Sequence, residues 1–161
     1  MSDIKGLCFD KDGTLFDFAA TWEAWAVAFL LRLNGQDRPK ATQAGKLIGF
    51  DLEAQTFARD SIAIAGLPSE IAEALVPMFP QMGAGALLGL INEEAERAPQ
   101  REAVPLIPLL TKFKARGLAL GVATNDTERP ARAHLQSAGV VPLFDFIVGS
   151  DSGHGGKPAP G

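Results

Sequence analysis

GLCFDKDGTLFD, residues 6–17, decides how the rest of the chain is read. An apolar run over residues 4–9 stops at Asp10, Lys11 and Asp12, then turns at Gly13. A strand interior excludes charge, so the run reads as a buried strand with acids at its C-terminal end. Residues two apart on a strand point the same way. Asp10 and Asp12 therefore repel each other unless a cation sits near them. The stretch asks for a metal ion or another positive charge.

Outward from this strand the texture changes. In TWEAWAVAFLLRL, Trp22, Trp25, Ala26, Phe29, Leu30 and Leu33 recur at helical spacing, and Asn34 and Gly35 end the pattern. ATQAGKLIGF, DLEAQTFARDSIAIAG, SEIAEALVPMF and AGALLGLINEEAERA read as helices too. Residues 19–99 thus form an all-helical block without a strand, its Trp and Phe residues in the core. Asp17 reads as the cap of the first of these helices.

After residue 99 strands return. Residues 106–116 read as a helix with a basic end, which suits the helix dipole, closed by Gly117. LALGVA, residues 118–123, is a second buried strand ending at Thr124, Asn125 and Asp126. A helix capped by Asp126 or Thr127 follows, with Pro130 in its first turn and Gly139 after its end. FDFIV, residues 144–148, is a third strand, running into the polar loop GSDSGHGGKPAPG. Strands alternating with helices predict an α/β fold with a parallel sheet and right-handed crossovers. Ligands of such sheets lie at the C-terminal strand ends. Polar residues occupy all three ends: Asp10 and Asp12; Thr124 and Asn125; Ser150, Asp151 and the loop to Lys157. The helical block, inserted after the first tip, is placed to act as a lid over them.

Composition narrows the function. The chain has 161 residues, 47% of them hydrophobic, enough for a packed core. A net charge of -4 without a basic tract argues against nucleic acid as a partner. No apolar run reaches the ~18 residues of a membrane span, so no membrane partner is expected. MSDIKG lacks the pattern of a signal peptide, and the single cysteine, Cys8, suits a reduced compartment. A cytoplasmic location and a core position for Cys8 are expected. His154 reads as a solvated loop residue. GHGGKP is not a P-loop, because Asp151 stands where its first glycine belongs and Pro158 replaces Ser or Thr. GAGALLG, residues 83–89, has one residue too many for a dinucleotide fingerprint and follows no strand.

The three tips suit phosphate-ester chemistry. One carboxylate can attack phosphorus and the other can move the proton. Thr124 and Asn125 can donate to phosphate oxygens, Lys157 adds a fixed positive charge, and Gly13 lets the backbone approach.

FDKDGTLFD, VATNDT and GGKPAPG resemble, in order and spacing, the first three motifs of the haloacid dehalogenase-like phosphohydrolases. The helical block resembles the C1-type cap of the phosphoglycolate phosphatase-like branch. The resemblance implies a Rossmann-like three-layer core over residues 1–18 and 100–161, with a cap over 19–99. It implies Asp10 as nucleophile and magnesium ligand. Asp12 would be general acid and base, with its backbone carbonyl on the Mg2+. Thr124, helped by the amide of Asn125 and by Gly13, would bind phosphate, and Lys157 would hold the nucleophile and phosphate charges together. The second acid, Asp12, favours a phosphatase or phosphomutase over a dehalogenase. The family's fourth motif, an acidic pair completing the metal site, has no counterpart up to Gly161, so the remaining acidic ligands are expected beyond it. The implied function is magnesium-dependent hydrolysis of a small phosphorylated metabolite through an aspartyl-phosphate. The alternatives are a hexose-phosphate mutase, or an inactive fragment that forms a homo-dimer through an open sheet edge.

Overall fold

The structure, a computed structural model, describes residues 4–159. In chain order it contains β1 (Gly6–Phe9), α1 (Phe18–Leu33), α2 (Arg38–Leu47), β2 (Phe50–Asp51), β3 (Thr56–Phe57), α3 (Ile62–Ala65) and α4 (Pro68–Leu75). There follow α5 (Ala84–Arg97), α6 (Leu106–Ala115), β4 (Ala119–Ala123), α7 (Glu128–Ser137) and β5 (Phe146–Val148). The chain divides into two compact units, Met1–Phe18 with Gln100–Gly161, and Ala19–Pro99.

The first unit is built on a parallel sheet in the order β1-β4-β5. Leu7 lies beside Leu120, Phe9 beside Val122, and Val122 beside Ile147. These residues share one face of the sheet, because side chains alternate along a strand. They pack with Leu106 and Leu110 of α6 and Leu135 of α7 into one apolar core. Register therefore brings the C-terminal ends of all three strands to the same edge. Where the chain leaves and re-enters this unit, the Asp17 N–H donates to the Arg101 carbonyl (2.8 Å) and the two side chains pair at 2.6 Å.

Cys8 departs from the expected core position and is exposed. Leu7 and Phe9 take the helix-covered face, which turns Cys8 to the other one. On that face Phe146 of β5 is also 47% exposed. No helix among the described residues is long and apolar enough to cross a membrane.

The second unit packs around α1. The Trp25 and Phe29 rings stack at 5.1 Å, Trp22 meets Trp25 edge-on at 5.4 Å, and the Trp25 indole N–H donates to the Ile91 carbonyl (3.2 Å). The expectation of helices throughout fails over DLEAQTFARDSIAIAG. That segment, with Phe50 just before it, holds the β2–β3 hairpin and only one turn of helix, α3. Asp51 is the reason: its Oδ1 accepts the N–H groups of Glu53 and Ala54, both at 2.9 Å, a local turn that competes with the helix ladder. Gln55, at φ 55°, completes the reversal. Ser61 then donates to the Ile48 carbonyl (2.6 Å) while its Oγ accepts the Ala63 N–H (3.1 Å), so α3 starts only there.

Candidate active site

The polar strand ends of the first unit are joined by short contacts. After β1 the chain doubles back at once: the Lys11 carbonyl accepts the N–H groups of Leu15 (2.9 Å) and Phe16 (3.1 Å). Gly13 makes this turn at φ 75°, with nothing within 4 Å of where a Cβ would stand. Its backbone is therefore open to approach from outside.

Asp10 is half exposed, and its carboxylate is held from one side. Oδ1 accepts the Lys11 N–H at 2.8 Å and the Lys157 ammonium at 2.7 Å. Among the described residues Oδ2 receives no hydrogen bond. Lys157 also donates to the Ala123 carbonyl at the end of β4 (3.0 Å) and so links two strand tips. Asn125 fixes Lys157 in turn: its side-chain oxygen accepts the Lys157 N–H (2.7 Å) and its NH2 donates to the Lys157 carbonyl (3.2 Å). The Asn125 side chain thus orders the lysine loop. The Thr124 hydroxyl, buried at the tip of β4, accepts the Asp126 N–H at 3.2 Å.

Asp151, expected among the polar tips, caps α7 by accepting the Glu128 N–H (2.7 Å). Ser152 joins it by donating to Glu128 (2.6 Å), and the Ser150 N–H donates to the Asp126 carbonyl (2.8 Å). Gly149 lets this loop lie so close; a Cβ there would stand 2.3 Å from the Glu128 nitrogen and 2.6 Å from the Asp126 oxygen. Both are backbone atoms that cannot swing aside. Gly149→Ala is therefore expected to destabilise the fold by about 1–3 kcal/mol, read by urea denaturation.

Three residues were not read from the sequence as site residues: Lys11, His134, and Asp126, which was expected only as a candidate helix cap. Lys11 is completely buried. Its Nζ lies 2.6 Å from Asp12 Oδ1, 2.9 Å from Asp126 Oδ2 and 2.9 Å from His134 Nδ1. The approach to Asp126 is an ion pair without good hydrogen-bond alignment. An ammonium at this position donates to Nδ1, which leaves His134 neutral with its proton on Nε2. One available signal was the lysine between two acids at a strand end. The other was His134 in phase with the buried Pro130 and Ala131 of α7, four and three residues before it.

Burial alone would push the Lys11 ammonium down, but the charges of Asp126 and Asp12 outweigh it and hold it above the usual lysine value. Asp126 is pushed up to about 7: burial dominates, Lys11 opposes it, and the charges of Asp12 and Asp10 add to it. A carboxyl raised in the folded state keeps its proton where the unfolded chain has lost it. Its contribution to stability is therefore full below the unfolded value of 3.8 and is lost as pH rises toward about 7. The stability of the wild type relative to Asp126→Asn should fall between pH 4 and 7, by about 1 kcal/mol per pH unit, and level off above. Thermal melts of the two proteins across this range measure it; a flat difference would show Asp126 ionised throughout.

The haloacid dehalogenase-like hydrolase family model matches residues 4–161. No curated protein matches the chain. Among solved structures, a predicted phosphoglycolate phosphatase from Haemophilus somnus superposes with a TM-score of 0.62 at 19% identity, over 98% of this chain and 68% of that one. The putative HAD-hydrolase YfnB from Bacillus subtilis, bound to magnesium, superposes with 0.56 at 22% identity, over 92% and 64%. The L-2-haloacid dehalogenase from Xanthobacter autotrophicus, with chloropropionic acid covalently bound, gives 0.53 at 21% identity, over 98% and 61%. The chain thus spans about two thirds of the length of these structures, and the likeness is one of fold.

Proposed function

The chain belongs to the haloacid dehalogenase-like hydrolases, and from this premise we propose that it is a phosphomonoesterase of the phosphoglycolate phosphatase type, acting on a small phosphorylated metabolite with magnesium. The observation that carries the reading is the state of Asp10. Two donors hold Oδ1, and Oδ2 keeps its lone pairs at a solvent-accessible strand end, which is how an oriented carboxylate nucleophile is presented.

In this reading Asp10 Oδ2 attacks phosphorus. A bond forms from Oδ2 to phosphorus, and the bond from phosphorus to the ester oxygen breaks. The ester enters as its monoanion, and Asp12 takes that phosphate proton and passes it to the departing alkoxide. Water then attacks the aspartyl-phosphate, Asp12 takes the water's proton, and inorganic phosphate leaves with Asp10 restored. Lys157 and the Thr124 hydroxyl stabilise the phosphoryl oxygens.

The residues present fit a hard divalent cation in part. The Asp12 carbonyl oxygen accepts no hydrogen bond among the described residues, and together with the Asp10 carboxylate it offers oxygen donors of the kind that suits Mg2+, which retains water ligands. Among the described residues no group of three acidic, histidine or cysteine ligands converges. When bound, the ion would neutralise phosphate charge between Asp10 and the substrate.

The test is phosphate release from p-nitrophenyl phosphate by the purified chain, with magnesium and with EDTA, beside chloride release from 2-chloropropionate. Phosphate release that needs magnesium is expected. Chloride release in EDTA, or turnover of neither compound, would overturn the reading.

A further inference from the structure

We propose that Lys11 is a positioning residue: its ammonium, anchored by Asp126 and His134, orients the Asp12 carboxylate for proton transfer to the leaving group. The inference rests on the phosphatase reading for its catalytic consequence, and on the buried cluster alone for its geometry.

An ammonium has three protons. Here three groups from three parts of the unit surround it: Asp12 after β1 and His134 within α7 at hydrogen-bond distance, and Asp126 between β4 and α7 as an ion pair. Lys11 has no exposed surface, so it is neither a phosphate ligand nor a substrate contact. Lys157, which pairs with Asp10, is by contrast accessible, its side chain 43% exposed. The anchor itself is fixed. The Asp126 N–H is held by Thr124 Oγ1 (3.2 Å), and its carbonyl accepts the Ser150 N–H (2.8 Å) and the Ser150 hydroxyl (3.3 Å). Loops from two strands therefore set where Asp126 stands, and Asp126 with His134 sets where the ammonium stands.

The consequence falls on Asp12. Its Oδ1 is bound to Lys11 at 2.6 Å, and Oδ2 receives no hydrogen bond among the described residues. A carboxylate held by one oxygen on a buried, anchored ammonium is restrained about both Cα–Cβ and Cβ–Cγ, so the same oxygen always serves as proton carrier. An apolar residue would fill this core position without the desolvation penalty of a buried charge. What a lysine adds is direction.

The experiment compares the full chain with Lys11→Met and with Lys11→Met/Asp126→Leu, the second variant removing both buried charges so that the fold survives. Two esters are assayed, p-nitrophenyl phosphate, whose leaving group departs without a proton, and glycerol phosphate, whose alkoxide needs one. The proposal expects the folded double variant to lose about 10- to 100-fold more in kcat on glycerol phosphate than on p-nitrophenyl phosphate. A merely structural role lowers both equally, and that result, or no loss, overturns it. Three-bond carbon couplings about the Asp12 χ1, measured by NMR, give a second readout that needs no turnover. One rotamer in the wild type and averaging in the double variant support the clamp; an unchanged single rotamer overturns it. Should the wild type hydrolyse neither ester, the phosphatase reading fails by itself and the couplings still decide whether Lys11 orients Asp12.

Discussion

On the phosphatase reading, Asp10→Asn is expected to lower turnover of p-nitrophenyl phosphate by about 10⁴-fold or more while the protein stays folded. The substitution is nearly isosteric. The amide oxygen can still accept the Lys11 N–H and the Lys157 ammonium that Oδ1 accepts now, at 2.8 and 2.7 Å. What changes is the other atom: an NH2 without an available lone pair replaces the Oδ2 that attacks phosphorus in the proposed mechanism. The Asp10–Lys157 pair is half exposed, so loss of its charge should cost well under about 1 kcal/mol of stability. The prediction thus separates chemistry from folding. It is checked by steady-state assay beside a thermal melt, both proteins purified in parallel. Undiminished activity in the variant would assign the hydrolysis to a contaminant or to another nucleophile.

Much of this site could be read before any coordinates. Two acids two residues apart at the end of a strand demanded a cation, and the structure answers with two. Lys157 pairs with Asp10, and Lys11, the residue between the acids, pairs with Asp12. The first partner was legible because the loop after a third strand had to reach the same edge of a parallel sheet. The second was not. A lysine flanked by acids reads as part of a solvated tip, and only the fold brings Asp126 and His134 around it from far along the chain. Cys8 shows the same limit from the other side. An apolar run marks a strand, but which of its faces is covered depends on where α6 and α7 pack. Residues 51–66 failed for a local reason: helical composition lost to one carboxylate, Asp51, bonding the two N–H groups that a helix would have used.

Lys11→Met is expected to destabilise the fold by about 3 kcal/mol at pH 8, and by clearly less at pH 5. The side chain that replaces lysine is of similar volume, so packing is not the main cost. At pH 8 Asp126 is ionised, and removal of the ammonium leaves two neighbouring carboxylates, Asp12 and Asp126, without the cation that lies 2.6 and 2.9 Å from them. Breaking a buried ion pair from one side is costly because the remaining charge is still desolvated. The folded chain can relieve that strain by holding a proton on Asp126. Without Lys11 the group titrates even further above its unfolded value of 3.8 than the present value of about 7. A raised carboxyl contributes stability at low pH that vanishes as pH rises, so the penalty grows from pH 5 to pH 8. In Lys11→Met/Asp126→Leu the second charge is gone, and most of the loss should be recovered at both pH values. Urea unfolding of the three proteins at the two pH values measures all of this. A penalty below about 1 kcal/mol and equal at pH 5 and 8 would mean that Lys11 carries no charge between these acids, and that the repulsion in DKD is relieved by something other than its own lysine.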